Sequence, residues 1–200
     1  MWLAALDGSS PPRQFDSQEG VSARFGPGGD VFYVVHKGNS PGGLYRVKED
    51  GSDLRKLIPQ AYSLDALSPD GRYFAASVPD PHETGSGITD LYPVDGGTPV
   101  TICMCGNRGP DAPPPVAWSS DGKVFYISMV GGQAVFAIPL RPGQVIPPLP
   151  PNGVRSVEEA AKLPGAKQFP VAGAFPGPGP AVYAFPKFVA QRNIFRVPVP

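Results

Sequence analysis

One short turn, repeated along the chain, restricts the folds open to it. Ser68-Pro69-Asp70-Gly71 and Ser119-Ser120-Asp121-Gly122 are close copies, Gly26-Pro27-Gly28-Gly29 is a third, and Pro176-Gly177-Pro178-Gly179-Pro180 is a degenerate fourth. Each stands between a short apolar stretch and a longer run rich in β-branched and aromatic residues. The pairs are Ala23–Phe25 with Val31–Val35, Leu64–Leu67 with Tyr73–Val78, Val116–Trp118 with Val124–Met129, and Val171–Phe175 with Ala181–Phe185. Proline presets φ at the second position of a tight turn, aspartate caps the turn through its side chain, and glycine takes left-handed backbone without steric cost. Two β-prone runs joined in this way make a hairpin. On this reading Gly28, Gly29, Asp70, Gly71, Asp121 and Gly122 are structural turn residues. Their fixed place in the repeat favours turn capping over cation binding for Asp70 and Asp121.

A second motif follows each hairpin: Leu44-Tyr45-Arg46-Val47, Asp90-Leu91-Tyr92-Pro93-Val94, Val135-Phe136-Ala137-Ile138 and Ile194-Phe195-Arg196-Val197. In two units it leads through Asp50-Gly51 or Asp95-Gly96-Gly97 to a further short strand, Leu54–Ile58 or Pro99–Cys103. Four strands in an up-and-down meander, recurring at roughly 40 to 55 residues, are the blade pattern of a β-propeller. A lone blade leaves an apolar face uncovered, and stacking against neighbours covers it. The expected fold is therefore all-β, with about four four-stranded blades belonging to a larger propeller. Residues 1–15 read as the tail of a preceding blade. Blades follow at 16–60, 61–105 and 106–150, then a connector at 151–168 and a last blade at 169–200. Within the connector Ser156-Val157-Glu158-Glu159 fits a capping box, Ala160 to Lys162 favour helix, and Pro164-Gly165 end it, so about two turns of helix are expected.

Composition decides one ambiguity. Glycine (25) and proline (28) exceed a quarter of the 200 residues, a level found in disordered chains or in turn-rich β-proteins. The runs VFYVV, RYFAASV and KVFYISMV favour the second. Seventeen basic and seventeen acidic side chains leave a formal charge of zero, with no basic stripe for nucleic acid. No run of about 20 apolar residues is present to span a membrane. The opening MWLAALDGSS lacks the basic start of a secretory signal and reads as a strand, which suggests a longer parent chain. The parent is expected to hold six or more blades, leaving open edges here that favour association.

The strings Ala66-Leu67-Ser68-Pro69-Asp70-Gly71-Arg72 and Ala117-Trp118-Ser119-Ser120-Asp121-Gly122-Lys123 resemble the core of TolB-like, WD40-like propeller repeats, and the later hairpin resembles the second half of the same repeat. The likeness covers nearly the whole chain and is weakest over Gln144–Ala166. The proline-rich connector, with the ending Gln191-Arg192-Asn193-Ile194-Phe195-Arg196-Val197-Pro198, also resembles the C-terminal propeller region of bacterial serine/threonine protein kinases. That resemblance implies a non-catalytic sensor module on the extracytoplasmic side. A free-standing TolB-like periplasmic interaction protein is the alternative it implies. The kinase signatures themselves (the glycine-rich loop, V-A-I-K, H-R-D and D-F-G) do not occur in the chain.

Few residues offer chemistry. There is no G-x-S-x-G elbow, and no catalytic residue, cofactor or metal is expected. His36 ends a predicted strand and His82 lies in a polar loop; both read as ordinary histidines. Cys103 and Cys105, two apart, would have Cα atoms roughly 6.5 to 7 Å apart in an extended strand, at or beyond disulfide reach. They read as two thiols or as a local bridge on a turned backbone, ahead of metal binding. A lactonase-like enzyme with metal-bound carboxylates is the reading from another class, and Asp65 is the only clear acid on an innermost strand. Trp118, Phe125, Tyr126, Phe136, Phe32, Tyr33 and Phe74 read as packing between blades. The loops 79–87 and 106–115 are the candidate binding loops, with His82, Glu83, Asn107 and Arg108 as contacts for an unknown protein, peptide or small ligand.

Overall fold

A computed structural model describes residues 1–15, 19–36, 38, 40–82, 87–105, 113–129, 133–177 and 182–187. Three antiparallel four-stranded sheets form its body. The first comprises β3 (Gly20–Phe25), β4 (Asp30–Val35), β5 (Gly42–Lys48) and β6 (Arg55–Ala61). The second comprises β7 (Ser63–Leu67), β8 (Tyr73–Pro79), β9 (Gly87–Pro93) and β10 (Val100–Cys103). The third comprises β11 (Val116–Trp118), β12 (Val124–Met129), β13 (Ala134–Pro139) and β14 (Lys167–Gln168). Two-stranded sheets flank them: β1 (Trp2–Leu3) with β2 (Arg13–Gln14), and β15 (Phe175–Pro176) with β16 (Tyr183–Ala184).

Within each four-stranded sheet every strand pairs with its neighbours in chain order. The first strands of successive sheets lie side by side, β3 against β7 and β7 against β11. The sheets therefore fan out from their first strands and stack face on face. This is a β-propeller, with three complete blades and a two-stranded sheet at either end among the described residues. About four complete blades were expected. The motif Ile194–Val197, which would continue the last one, lies outside the described residues.

Alternation along the second strand of each blade explains the stacking. Successive side chains of a strand point to opposite faces, and here both faces are apolar. Val31 and Tyr33 of β4 pack with Phe15, Met1 and Leu3 on one side. Phe32 and Val34 pack on the other side with Leu64, Phe74, Ala76 and Val78 of the second sheet. Ala75 and Leu91 then meet Phe125, Ile127, Met129 and Phe136 of the third, whose far face carries Val124 and Tyr126 against Phe169 and Ala174. Phe74 stacks on Tyr92 at 5.2 Å, and Trp118 meets Phe125 edge-on at 5.1 Å. Each fully buried side chain of this size contributes about 1.5–3 kcal/mol relative to exposure. At the two ends Trp2 of β1 with the neighbouring Leu6, and Val182 and Phe185 beside β16, stay exposed.

The third blade corrects the sequence-based boundaries. Its fourth strand is β14, paired with β13 through Phe136–Gln168 and Ala137–Lys167. The segment 140–166 is thus an insertion inside the third blade, whereas the blade was expected to end at 150 and a connector to the next blade to occupy 151–168. Backbone pairing is the reason. Val154 forms a parallel bridge with Cys103: its N–H donates to the Ile102 carbonyl at 2.8 Å, and Met104 N–H donates to the Val154 carbonyl at 2.9 Å. The insertion is laid along the outer edge of the second blade before the chain returns to the third. It also carries α1 (Val157–Ala161), whose Ser156 hydroxyl accepts from Glu159 N–H at 3.2 Å. The Glu159 carboxylate reaches back to Arg155 N–H at 2.8 Å, one residue earlier than the capping box prescribes. At five residues the helix is shorter than the two turns expected.

Candidate functional site: a polar hollow beside the second blade

The repeated turns are built alike, atom for atom. Ser68 Oγ donates to Asp70 Oδ1 at 2.7 Å and accepts from Tyr73 N–H at 3.0 Å, while Arg72 N–H donates to Asp70 Oδ1 at 3.1 Å. In the next blade Ser119, Asp121, Lys123 and Val124 repeat the same three bonds at 2.7, 3.0 and 3.1 Å. Burial tends to raise the Asp70 carboxyl, yet the bonds from Ser68 and Arg72 hold it below the ordinary carboxylate value. The Ser119 hydroxyl and Lys123 do the same for Asp121. Gly71 (φ +69°) and Gly122 (φ +67°) lie in the left-handed region, as do Gly28 (+67°) and Gly29 (+76°). These residues shape the backbone, and their carboxylates are spent on it.

The other residues singled out from sequence fall in separate places. Asp65, on the innermost strand, accepts from Ser63 at 2.6 Å and from Ser77 at 2.8 Å. His36 Nε2–H donates to the Tyr62 carbonyl at 2.8 Å, bracing the link between the first two blades. Cys103 and Cys105 form a disulfide with their Cα atoms 5.2 Å apart. The strand ends at Cys103 and the backbone bends at Met104, which closes the extended spacing to bridging distance. Glu83, Asn107 and Arg108 lie outside the described residues.

His82 borders a hollow of about 350 Å³. The chain leaving β8 supplies Asp80 and His82, β9 supplies Asp90, β10 supplies Thr101, and the insertion supplies Asn152 and Arg155. Asp90 is its most telling member. It is 8% exposed, and one carboxylate oxygen, Oδ1, is buried without a hydrogen-bond partner. The other, Oδ2, accepts from the Tyr92 phenol at 3.4 Å. Burial pushes the Asp90 carboxyl up, bonds from Thr101 and Tyr92 oppose the rise, and the charge of Asp80 adds to it. Burial beside Asp90 pushes the Tyr92 phenol up as well. An unpaired buried carboxylate oxygen costs the desolvation free energy of that atom. Among the described residues no three His, Cys, Asp or Glu side chains gather closely enough to hold a metal ion. Among the described residues no helix is long and apolar enough to cross a membrane.

Sequence reasoning reached the hollow only through His82. Asp90 was read as part of a strand motif. Its signal was an acid inside the apolar run Ile88–Tyr92, where a buried carboxylate is uncommon. Asn152 and Arg155 carried no such mark, because only the fold lays their segment against β10.

Neither a protein-family model nor a curated protein sequence matches the chain. Among solved structures it is similar to hydrazine synthase of Kuenenia stuttgartiensis, with 18% identity and a TM-score of 0.41 over 58% of this chain and 39% of that one. It is similar to a putative 6-phosphogluconolactonase of Bacteroides fragilis as well, with 16% identity and a TM-score of 0.41 over 64% of this chain and 36% of that one. The chain thus spans well under half the length of either, and nothing of their chemistry carries over.

Proposed function

We propose that this chain is a non-catalytic recognition module. In this reading the stacked blades are a rigid scaffold and the hollow bordered by Asp80, Asp90 and Arg155 receives a small polar ligand. The observation that carries the reading is the hollow itself, about 350 Å³, where Asp80, His82, Thr101, Asn152 and Arg155 converge with the nearly buried Asp90 from four separate stretches of chain. Concave sites with a few convergent polar groups are where small ligands bind. The setting we favour is the sensor region of a bacterial signalling protein of serine/threonine kinase type. That part rests on the resemblance of the repeat and of the chain's ending, and it predicts a kinase domain and a membrane span encoded upstream of Met1.

A thermal-shift screen against panels of sugars, organic acids, amino acids and nucleosides tests the reading. One panel is expected to raise the melting temperature saturably, with the ligand recovered chemically unchanged. Turnover of the ligand, or silence from every panel, would refute a non-catalytic recognition role.

A further inference from the structure

The disulfide between Cys103 and Cys105 is not part of the hollow's lining, yet it lies beneath one of its walls. Cys103 is fully buried and Cys105 is 4% exposed, and both belong to the core that holds Ile102 and Val154. Val154 comes from the insertion and pairs with Cys103 across a parallel bridge. Asn152 and Arg155, on either side of Val154, line the hollow, and so does Met104, which the disulfide brackets.

Two backbone hydrogen bonds seat the insertion there. Val154 N–H donates to the Ile102 carbonyl at 2.8 Å, and Met104 N–H donates to the Val154 carbonyl at 2.9 Å. The second bond is made by the residue inside the disulfide loop. The disulfide holds the Cα atoms of Cys103 and Cys105 at 5.2 Å, where an open strand would place them roughly 6.5 to 7 Å apart, so it fixes the bend that presents Met104. Cleaving it returns chain entropy to that short loop, and the Met104 bond, at the end of the pair, frays first. The coupling runs the other way as well. Thiol–disulfide exchange needs direct approach to a sulfur atom, and these sulfurs are out of reach while residues 152–155 lie along β10. A segment held by so few backbone bonds opens locally at a lower cost than the whole fold. Linkage makes the equilibrium coupling reciprocal: if cleavage loosens the insertion, loosening the insertion favours cleavage.

We propose that residues 152–155 are a redox-coupled flap. Seated on β10, they shield the disulfide and wall the hollow. Lifted, they open the hollow and admit a small dithiol. A thiolate of that dithiol attacks one cysteine sulfur, the S–S bond breaks, and the other cysteine departs as a thiolate and takes up a proton. The second sulfur of the dithiol then displaces the first cysteine, which is protonated in turn. Two electrons have passed to the protein, both cysteines are thiols, and the donor is a disulfide. The reduced chain holds the flap less firmly. None of these steps requires a ligand, so their failure would leave the recognition reading standing.

Reduction of the whole folded chain by dithiothreitol, with the freed thiols trapped by alkylation and counted by mass, tests the shield. A Cβ on Gly153, at φ +70°, would stand 2.8 Å from the Ile102 carbonyl oxygen and 2.9 Å from that of Thr101, so Gly153→Ala prises the flap from β10. Gly71→Ala meets strain of the same kind in the β7–β8 hairpin and controls for lost global stability. The disulfide of the Gly153 variant should be reduced about tenfold or more faster than that of wild type, the order of the penalty for a left-handed residue other than glycine. That of the Gly71 variant should keep close to the wild-type rate. Equal acceleration in both variants would mean that the sulfurs are reached only by global unfolding, and overturns the proposal; so does an unchanged rate in the Gly153 variant. Hydrogen exchange of the wild type in low urea tests the coupling without any substitution. After reduction the amides of Met104 and Val154 should exchange about tenfold faster and independently of urea, as local opening requires. Unchanged exchange at both, or a urea dependence equal to that of β8, overturns it.

Discussion

Adjacent blades touch through their turns, and one substitution there isolates that contact. Gly71 sits at φ +69° and Gly122 at φ +67°, so alanine at either position meets the same backbone penalty, about 1–2 kcal/mol for a left-handed non-glycine residue. Their surroundings differ. A Cβ on Gly71 would run into the ring of Pro27 in the preceding blade's turn, 2.7 Å from its Cδ and nearer still to its Cγ. A Cβ on Gly122 would stand 3.6 Å from Pro69 Cγ, an ordinary contact. Overpacking of the first kind adds about 1–3 kcal/mol. Gly122→Ala should thus cost about 1–2 kcal/mol and Gly71→Ala about 2–5 kcal/mol. At about 2–4 °C per kcal/mol for a chain of this size, the second variant should melt several degrees below the first. Pro27→Ala removes the offending ring atoms, so the double variant should recover most of the difference. Urea titration of the wild type, the two single variants at 27 and 71, and the double closes a thermodynamic cycle with a coupling of about 1–3 kcal/mol. Equal costs at Gly71 and Gly122, or a cycle with no coupling, would show that the turns do not bear on one another.

Three further predictions concern the core, the turns and the bridge. Phe125→Ala empties a site at 0% exposure between the second and third blades and should cost about 3–5 kcal/mol in denaturant titration; a loss near zero would contradict the stacked-blade core. The bonded Asp121 carboxyl titrates below its ordinary value of 3.8, so its ionised form stabilises the fold above that value, and the contribution disappears as pH falls through the lowered one. Asp121→Asn should therefore be less stable than wild type at neutral pH and converge with it in acid, whereas parallel melting curves across the range would reject the capping role. Reducing the Cys103–Cys105 bridge, which closes a loop with a sequence separation of only 2, should cost on the order of 1–2 kcal/mol on a chain-entropy estimate, and a much larger fall would mean that the bridge organises more than its own loop.

The blade pattern was legible because it is written in short-range chemistry. A Ser-x-Asp-Gly turn closes on itself through bonds spanning two to five residues, and the apolar runs that follow are long enough to announce strands. The helix start at Ser156 was legible for the same reason. Two things were not. The fourth strand of the third blade, Lys167–Gln168, is two exposed polar residues whose only mark is the partner they meet, and that partner lies about thirty positions back. The hollow is likewise a product of long-range packing, since Asp80, Asp90, Thr101 and Arg155 come together only when residues 151–155 are laid beside β10. Cys103 and Cys105 fell between these cases: spacing alone argued against a bridge on a straight strand, and the bend at Met104 supplied the missing approach.

The insertion of the third blade has a consequence for how the molecule comes apart. Its Val154 occupies backbone groups on the rim of the second blade that would otherwise be free to recruit a foreign strand, and its Ala160 and Leu163 sit in the same core as Ile102 and Phe136. Gly153, at φ +70° with the Ile102 carbonyl oxygen 2.8 Å from where a Cβ would be, lets the two chains run that close. The second and third blades are therefore tied by backbone pairing as well as by packing, while the first blade meets the second through side-chain packing, turn contacts and the His36–Tyr62 hydrogen bond. In native-state hydrogen exchange the amides of β8 and β12 should open together, those of β4 should open at lower free energy, and Gly153→Val should dissolve the distinction.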